Sequence, residues 1–246
     1  MEQLSGGNMG AVHRDGPDVL RPGGPWTPSV HRLLHHLREQ GVGGVPEPRG
    51  LTDDGRERLE FLEGDVPPGF PVPGWVWDEG ALVSAAVLLR RIHDASASAD
   101  RSGPWRSPSH EPVEVVCHND FATYNLVFRG GRAVGVIDWD FASPGPRLWD
   151  LAYLAYRIVP LTSADRSDGF TDEERWRRCD LLLHSYGSTA SRGRLLSTVG
   201  ERLIELADFS DRMAVELRNP DLAEHAVGYR RDAAWLAARL SRRPAP

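Results

Sequence analysis

The residues best suited to chemistry lie between positions 117 and 140. Cys117 to Phe128 reads CHNDFATYNLVF, so His118, Asp120 and Asn125 follow one another as H-x-D-x-x-x-x-N. Thirteen residues after Asn125, an apolar run from Ala133 to Ile137 ends at Asp138, within VIDWD. Phosphoryl transfer asks a protein mainly for positioning and charge neutralisation, so it needs hard oxygen ligands for a divalent cation beside a carboxylate that orients the attacking hydroxyl. A hairpin opening at Asn125 and closing at Asp138 brings two such ligands to one end of a β-ladder. Asp120, on the loop before it, then faces the space between metal and acceptor. The plainer reading of Asp120 and Asn125 is a turn, since Asx side chains cap backbone groups locally. Three residue types at fixed offsets, with a hydrophobic strand running into Asp138, favour the chemical reading.

Other residues around this set have two readings each. A buried loop histidine such as His118 more often hydrogen-bonds backbone or a carboxylate than transfers a proton, which favours a supporting role. Asp140 is either a substrate-facing acid or a turn cap. Asp150, in RLWDLAYLAY, opens an apolar helix, where a carboxylate is stabilised by the helix dipole and free amides or braces a neighbouring loop. For a nucleotide grip the sequence offers Ser5, Gly6, Gly7 and Asn8, a glycine-rich turn whose missing β-carbons let backbone amides approach phosphate, or a bland hairpin turn. Arg21 ends the run VLRP, where it reaches phosphates or simply sits exposed at a strand end. Backbone groups of Glu60 and Leu62 are candidates for adenine.

These residues need a scaffold, and hydrophobic periodicity outlines one. Short strands are expected at Ala11 to His13, through Val19 and Leu20, and at Arg58 to Leu62, with turns at Asp15-Gly16 and Asp53-Asp54-Gly55. Val30, Leu33, Leu34 and Leu37 recur at helical spacing, which predicts a helix over 28–40 with Thr27 as N-cap and Pro28 at the first position. Four prolines and several glycines between 64 and 78 end regular structure and mark a linker. Beyond it, Ala81 to Ala95 is helical, Val113 to Cys117 extended, and 125–137 a hairpin turning at Gly130-Gly131. The remainder reads as helices, including Glu173 to Leu183, Gly200 to Phe209 and Ala223 to Leu240.

Composition narrows the function class. The chain of 246 residues carries a net charge of -6, and its arginines are interspersed with acids, which argues against nucleic-acid binding. Two distant cysteines, Cys117 and Cys179, make no disulfide framework, and no apolar stretch is long enough to span a membrane. With no signal peptide pattern at the start, a reducing cytoplasm is the expected location. All 29 basic residues are arginine, so any phosphate grip must come from arginine.

CHNDFATYN and VIDWDFASPGPRLWDLAYL, with weaker support from LSGGNMG, VLRP and the helix at Pro28 to Glu39, resemble the aminoglycoside phosphotransferase and choline kinase-like family. The resemblance implies an α+β, bilobal protein-kinase-like fold. Residues 1–63 would be a small antiparallel-sheet N-lobe that binds nucleotide, 64–78 a hinge, and 79–246 a mainly helical C-lobe holding the catalytic hairpin and the substrate helices. It implies Asp120 as catalytic base, Asn125 and Asp138 as Mg2+ ligands, His118 supporting the loop and Asp150 bracing it. It further implies ATP or GTP as phosphoryl donor and a small-molecule acceptor, an aminoglycoside-like antibiotic or a metabolite, and with the former a part in antibiotic resistance. The alternative is a degenerate kinase-like binding or toxin-immunity protein. Two departures stand out: the kinase lysine is replaced by Arg21 with its usual glutamate partner not evident on the first helix, where His31 occupies that position, and the nucleotide lobe is short, with almost no first strand before the glycine turn. Residues 171–246 hold 12 acids against 13 arginines, so bulk charge does not single out a polycationic acceptor.

Overall fold

The computed structural model describes residues 2–4, 12–69, 71–163 and 169–241. Contacts divide the chain into two compact units, Met1–Asp150 and Leu151–Pro246. The segment 64–78 lies inside the first unit.

The first unit begins with a five-stranded antiparallel sheet. Its strands are β1 (Glu2–Leu4), β2 (Val12–Asp15), β3 (Asp18–Pro22), β4 (Pro48–Leu51) and β5 (Arg56–Glu60), in the order β1-β2-β3-β5-β4. β5 starts and ends two residues earlier than expected. Its inward positions are Glu57 and Leu59, so a buried carboxylate occupies a place where apolar alternation would be sought. Between β3 and β4 runs α1 (Thr27–Glu39), with Val30, Leu33, Leu34 and Leu37 buried as the spacing predicts. Thr27 is not the N-cap. Trp26 holds that position, while Thr27 Oγ1 accepts from the Gly24 amide at 2.9 Å and so fastens the turn before the helix.

After β5 the chain leaves this sheet. α2 (Glu79–Ser96) buries Leu82, Ala85, Ala86, Leu89 and Ile92. β6 (Val115–Cys117) and β9 (Ser143–Gly145) form one antiparallel pair, and β7 (Leu126–Arg129) and β8 (Arg132–Val136) form the expected hairpin. Gly130 and Gly131 turn it, both at positive φ (55° and 72°), the conformation that a two-residue loop matched to strand twist requires. Asp65 and Phe128 exchange two backbone hydrogen bonds of 2.8 Å, which ties the 64–78 segment to β7. Gly44, at φ +83°, lets the loop after α1 lie directly on β8. Its carbonyl accepts from Val136 at 2.8 Å, and a Cβ there would stand 2.0 Å from the Val134 carbonyl oxygen.

The unit boundary falls within α3 (Arg147–Ile158). The second unit continues with α4 (Asp172–Tyr186), α5 (Arg192–Glu216) and α6 (Pro220–Leu240). α4 opens with a capping box between Thr171 and Glu174 and closes on Gly187 in the left-handed conformation. α5 is much longer than the stretch from Gly200 to Phe209 suggested, because Ser191 caps it and Leu195, Leu196 and Val199 extend the buried face upstream. A buried network closes the unit: Tyr156 Oη donates to Asp232 Oδ2 at 2.8 Å, and Ser163 donates through its amide and hydroxyl to Oδ1.

Candidate active site

The hairpin turns a spacing into a geometry. Leu126 pairs with Val136, and one step further the Ile137 amide donates to the Asn125 carbonyl at 2.9 Å. Asn125 and Ile137 therefore face each other at the open end of the ladder, and Asp138 follows immediately. Asp138 sits in the left-handed region (φ 63°), where Asp and Asn are tolerated better than most residues, and its side chain is 39% exposed. Asn125 donates through Nδ2 to both the backbone oxygen and Oδ2 of Asp120, at 3.0 and 2.8 Å. Its amide oxygen takes part in neither bond. Asp120, partly exposed, accepts on its other oxygen from Tyr124 Oη at 2.6 Å.

The loop carrying Asp120 is held from behind by Asp150. Asp150 is wholly buried; Oδ2 accepts from the His118 amide at 2.6 Å and Oδ1 from the Asn119 amide at 2.7 Å. These amides belong to the loop, not to the first turn of α3, so the carboxylate does not act as a helix cap. His93 of α2 completes the clamp, with Nε2 at 3.1 Å from Oδ2. Burial alone would push the Asp150 carboxyl up, but the bond to His93, nearby charge and the His118 amide together hold its pKa below the usual carboxylate range. Asn119 adopts a left-handed φ of 63° and anchors through Nδ2 to the Phe141 carbonyl and Ser143 Oγ.

His118 joins this loop to the hairpin. Its Nδ1 accepts from the Asp120 amide at 3.2 Å and its Nε2 lies 3.0 Å from the Ile137 carbonyl, an arrangement that calls for the neutral Nε2–H tautomer. Full burial lowers its pKa, chiefly by desolvation, in keeping with that neutral form. His93, Cys117 and Asp150 also bring ligand-type atoms within 4.8 Å of one another. Both Asp150 oxygens already accept hydrogen bonds and Cys117 Sγ donates to the Pro146 carbonyl, so Asp150 and His93 work as the loop's clamp.

Arg21 is buried (8% exposed), which rules out the exposed strand-end reading. Its Nε donates to Glu57 at 2.6 Å, Nη1 to Asp138 and Nη2 to Asp140, both at 2.7 Å. Burial works against the guanidinium charge, but Glu57, Asp138 and Asp140 outweigh it and raise the pKa. The carboxylate partner missing from α1 is thus Glu57, directly across the strand pair from Arg21. His31 of α1 reaches the other Glu57 oxygen at 2.9 Å. Burial pushes the Asp140 carboxyl above its usual range in spite of Arg21, and Arg106 holds its Oδ2 at 3.2 Å. Arg106 is itself sandwiched against the rings of Trp26 and Phe141.

Sequence reasoning missed Glu57, His93, Arg106 and Tyr124. Glu57 had a signal in the strand register, since a strand-end arginine invites an acid on the neighbouring strand. His93 and Arg106 had none, because their partners are distant in sequence. Ser5, Gly6, Gly7 and Asn8 lie outside the described residues. The Glu60 amide donates to the Glu47 carbonyl, and its carboxylate accepts from Arg38 and the Glu47 amide. Glu60 and Leu62 line a cavity of about 220 Å³ together with Arg38, Val45, Val127 and Gly135.

Comparison with known proteins places these features in context. A model described as the phosphotransferase enzyme family matches residues 104–182. The trifolitoxin immunity protein of Rhizobium leguminosarum bv. trifolii is 35% identical over 202 residues, 77% of this chain and 76% of that one. Among solved structures, a choline/ethanolamine kinase family protein from Mesorhizobium loti is similar with a TM-score of 0.65 and 18% identity, over 96% of this chain and 87% of that one. The amicoumacin kinase hAmiN, solved with AMP-PNP, Ca2+ and Ami, is similar with a TM-score of 0.67 and 13% identity, over 94% and 86%. The structural likenesses show an α+β, protein-kinase-like phosphotransferase fold.

Proposed function

Because the chain belongs to the phosphotransferase enzyme family, we propose that it transfers the γ-phosphoryl group of ATP to a hydroxyl of a small molecule. The observation that supports this reading is that the Asn125 side chain holds Asp120, while the Ile137 amide on the Asn125 carbonyl sets Asp138 one residue beyond the open end of the β7–β8 ladder. Asp120 orients the acceptor hydroxyl and takes its proton. The acceptor oxygen then bonds to phosphorus as the bond to the β–γ bridging oxygen breaks and ADP leaves. Mg2+, when bound, neutralises charge on the phosphates; the Asn125 amide oxygen and the Asp138 carboxylate are the hard donors that would hold it. Asp150, His93 and His118 keep the loop in place during these steps. The name of the 35% identical relative favours a second reading, toxin immunity, achieved either by this phosphorylation or by binding alone.

Asp120→Ala is expected to lower ATP consumption by about 10²- to 10⁴-fold, the usual contribution of a positioned base, with an unchanged circular dichroism spectrum. An Asp120→Ala protein as active as wild type would remove the assigned base. A thermal shift with Mg-ATP separates enzyme from nucleotide-free binder, because a ligand of the native state raises the midpoint. Screening aminoglycosides, macrolides, amino alcohols, sugars and toxin peptides for phosphate incorporation identifies the acceptor.

A further inference from the structure

Arg21 has more carboxylate partners than a phosphate grip requires. Each guanidinium nitrogen is directed at a different acid, and Nη1 holds Oδ1 of Asp138, one of the two proposed metal ligands. With Arg106 on Asp140, two guanidiniums face the three carboxylates of Glu57, Asp138 and Asp140, leaving the cluster one formal negative charge. Without Arg21 it would carry two. A guanidinium in contact with the ligand carboxylate both neutralises it and repels a divalent ion arriving alone. Once nucleotide phosphates enter, the sign of the effect reverses, because the same guanidinium then faces additional anionic oxygens.

Granting the phosphotransferase reading of Asp138, we propose that Arg21 is a charge latch that makes metal binding depend on nucleotide: it keeps free divalent cations off Asp138 and favours their entry together with the phosphates. Glu57 is the anchor of the latch, since it fixes Nε from the neighbouring strand while Nη1 exchanges partners. Arg21 acts on the reaction by positioning and by charge, through Asp138.

The test reads two binding events of opposite expected sign. Mn2+ is titrated by calorimetry and by electron paramagnetic resonance into wild type and Arg21→Gln, without nucleotide and with a non-hydrolysable ATP analogue. Loss of the guanidinium is expected to tighten nucleotide-free Mn2+ binding about tenfold or more and to weaken analogue binding about tenfold. A purely structural role would weaken both. Because Arg21→Gln leaves Glu57 buried beside His31 alone, the pair Arg21→Gln/Glu57→Gln is measured alongside, and Arg21→Lys is expected to fall between wild type and Arg21→Gln. Adding Asp138→Asn to Arg21→Gln should abolish the gain in Mn2+ affinity. Unchanged or weaker nucleotide-free Mn2+ binding in folded Arg21 variants, or a gain that survives Asp138→Asn, overturns the latch. If wild type binds Mn2+ with the analogue yet the variants gain nothing, the latch alone fails; if wild type binds neither, the phosphotransferase reading fails with it.

Discussion

Two neighbouring regions of the first unit handle polar groups in opposite ways. Behind the 117–125 loop, Asp150 is sealed from solvent and accepts from two backbone amides and a histidine. In front, Arg21 holds three carboxylates, one of which is well exposed, and Arg106 shares one of them. The first arrangement offers its groups no alternatives, because a buried amide deprived of its acceptor has no water to turn to. The second has redundant partners and an open side. A rigid frame and a set of exchangeable charges are different devices, and a site that must position one substrate and admit another has use for both. The contrast predicts that stability depends on the frame and ligand binding on the charges.

The largest effect is expected at Asp150. Asp150→Ala strands two buried amides and His93 at once, and should cost about 3–5 kcal/mol in urea unfolding, as breaking buried charge pairs does. A loss below about 1 kcal/mol would mean that water or a neighbouring group replaces the carboxylate, and the contrast between the regions would collapse.

Much of the front of the site could be read from the chain, and little of its back. His118, Asp120, Asn125 and Asp138 lie on one loop and one hairpin, so their relative placement follows from turn chemistry and a strand register of period two, both local rules. Asp150 was legible as a brace or a cap, and only its partners distinguish these. Its clamp on His118 and Asn119 spans about thirty positions and its bond to His93 spans 57, so both depend on how α2, β6 and α3 pack. Glu57 was hidden for a different reason. A buried acid in RERLE breaks the apolar alternation that identifies a strand, and the observed strand starts two residues before the one that alternation suggests. Thr27 shows the same limit on a smaller scale, since a threonine before a proline suits an N-cap yet here accepts from the turn behind it.

A smaller effect, again in the frame, is expected from pH. Burial depresses the His118 pKa below the ordinary histidine value, so in acid the unfolded chain takes up that proton first. The His118 contribution is therefore intact above about pH 6.5 and is lost as pH falls from there toward the lower folded value, at up to about 1.4 kcal/mol per pH unit. Asp150, with its pKa lowered, weakens only as pH falls below the usual aspartate value near 3.9. Unfolding free energies measured from pH 7.5 to 5 should fall less steeply in His118→Gln than in wild type. Equal slopes would show that His118 is protonated without cost and that the neutral tautomer is not part of the frame.

The smallest stability effect is expected at Asp138, a proposed metal ligand. Asp138→Asn should change unfolding free energy by less than about 0.5 kcal/mol, since the Asp138 side chain is 39% exposed and solvent screens its pair with Arg21. Asparagine tolerates the left-handed backbone at φ 63° about as well as aspartate, and its oxygen can still accept from Nη1 while Glu57 and Asp140 keep their bonds. The same substitution should remove most metal-dependent nucleotide binding, because a neutral amide is a poorer ligand for a divalent cation than a carboxylate. Asp138→Val would confuse the two effects, as a β-branched residue is strained in that conformation. A folded Asp138→Asn protein that is as stable as wild type but no longer responds to Mg-ATP is the outcome that separates exchangeable charge from frame. If instead it were destabilised as severely as Asp150→Ala, both regions would be one structural unit.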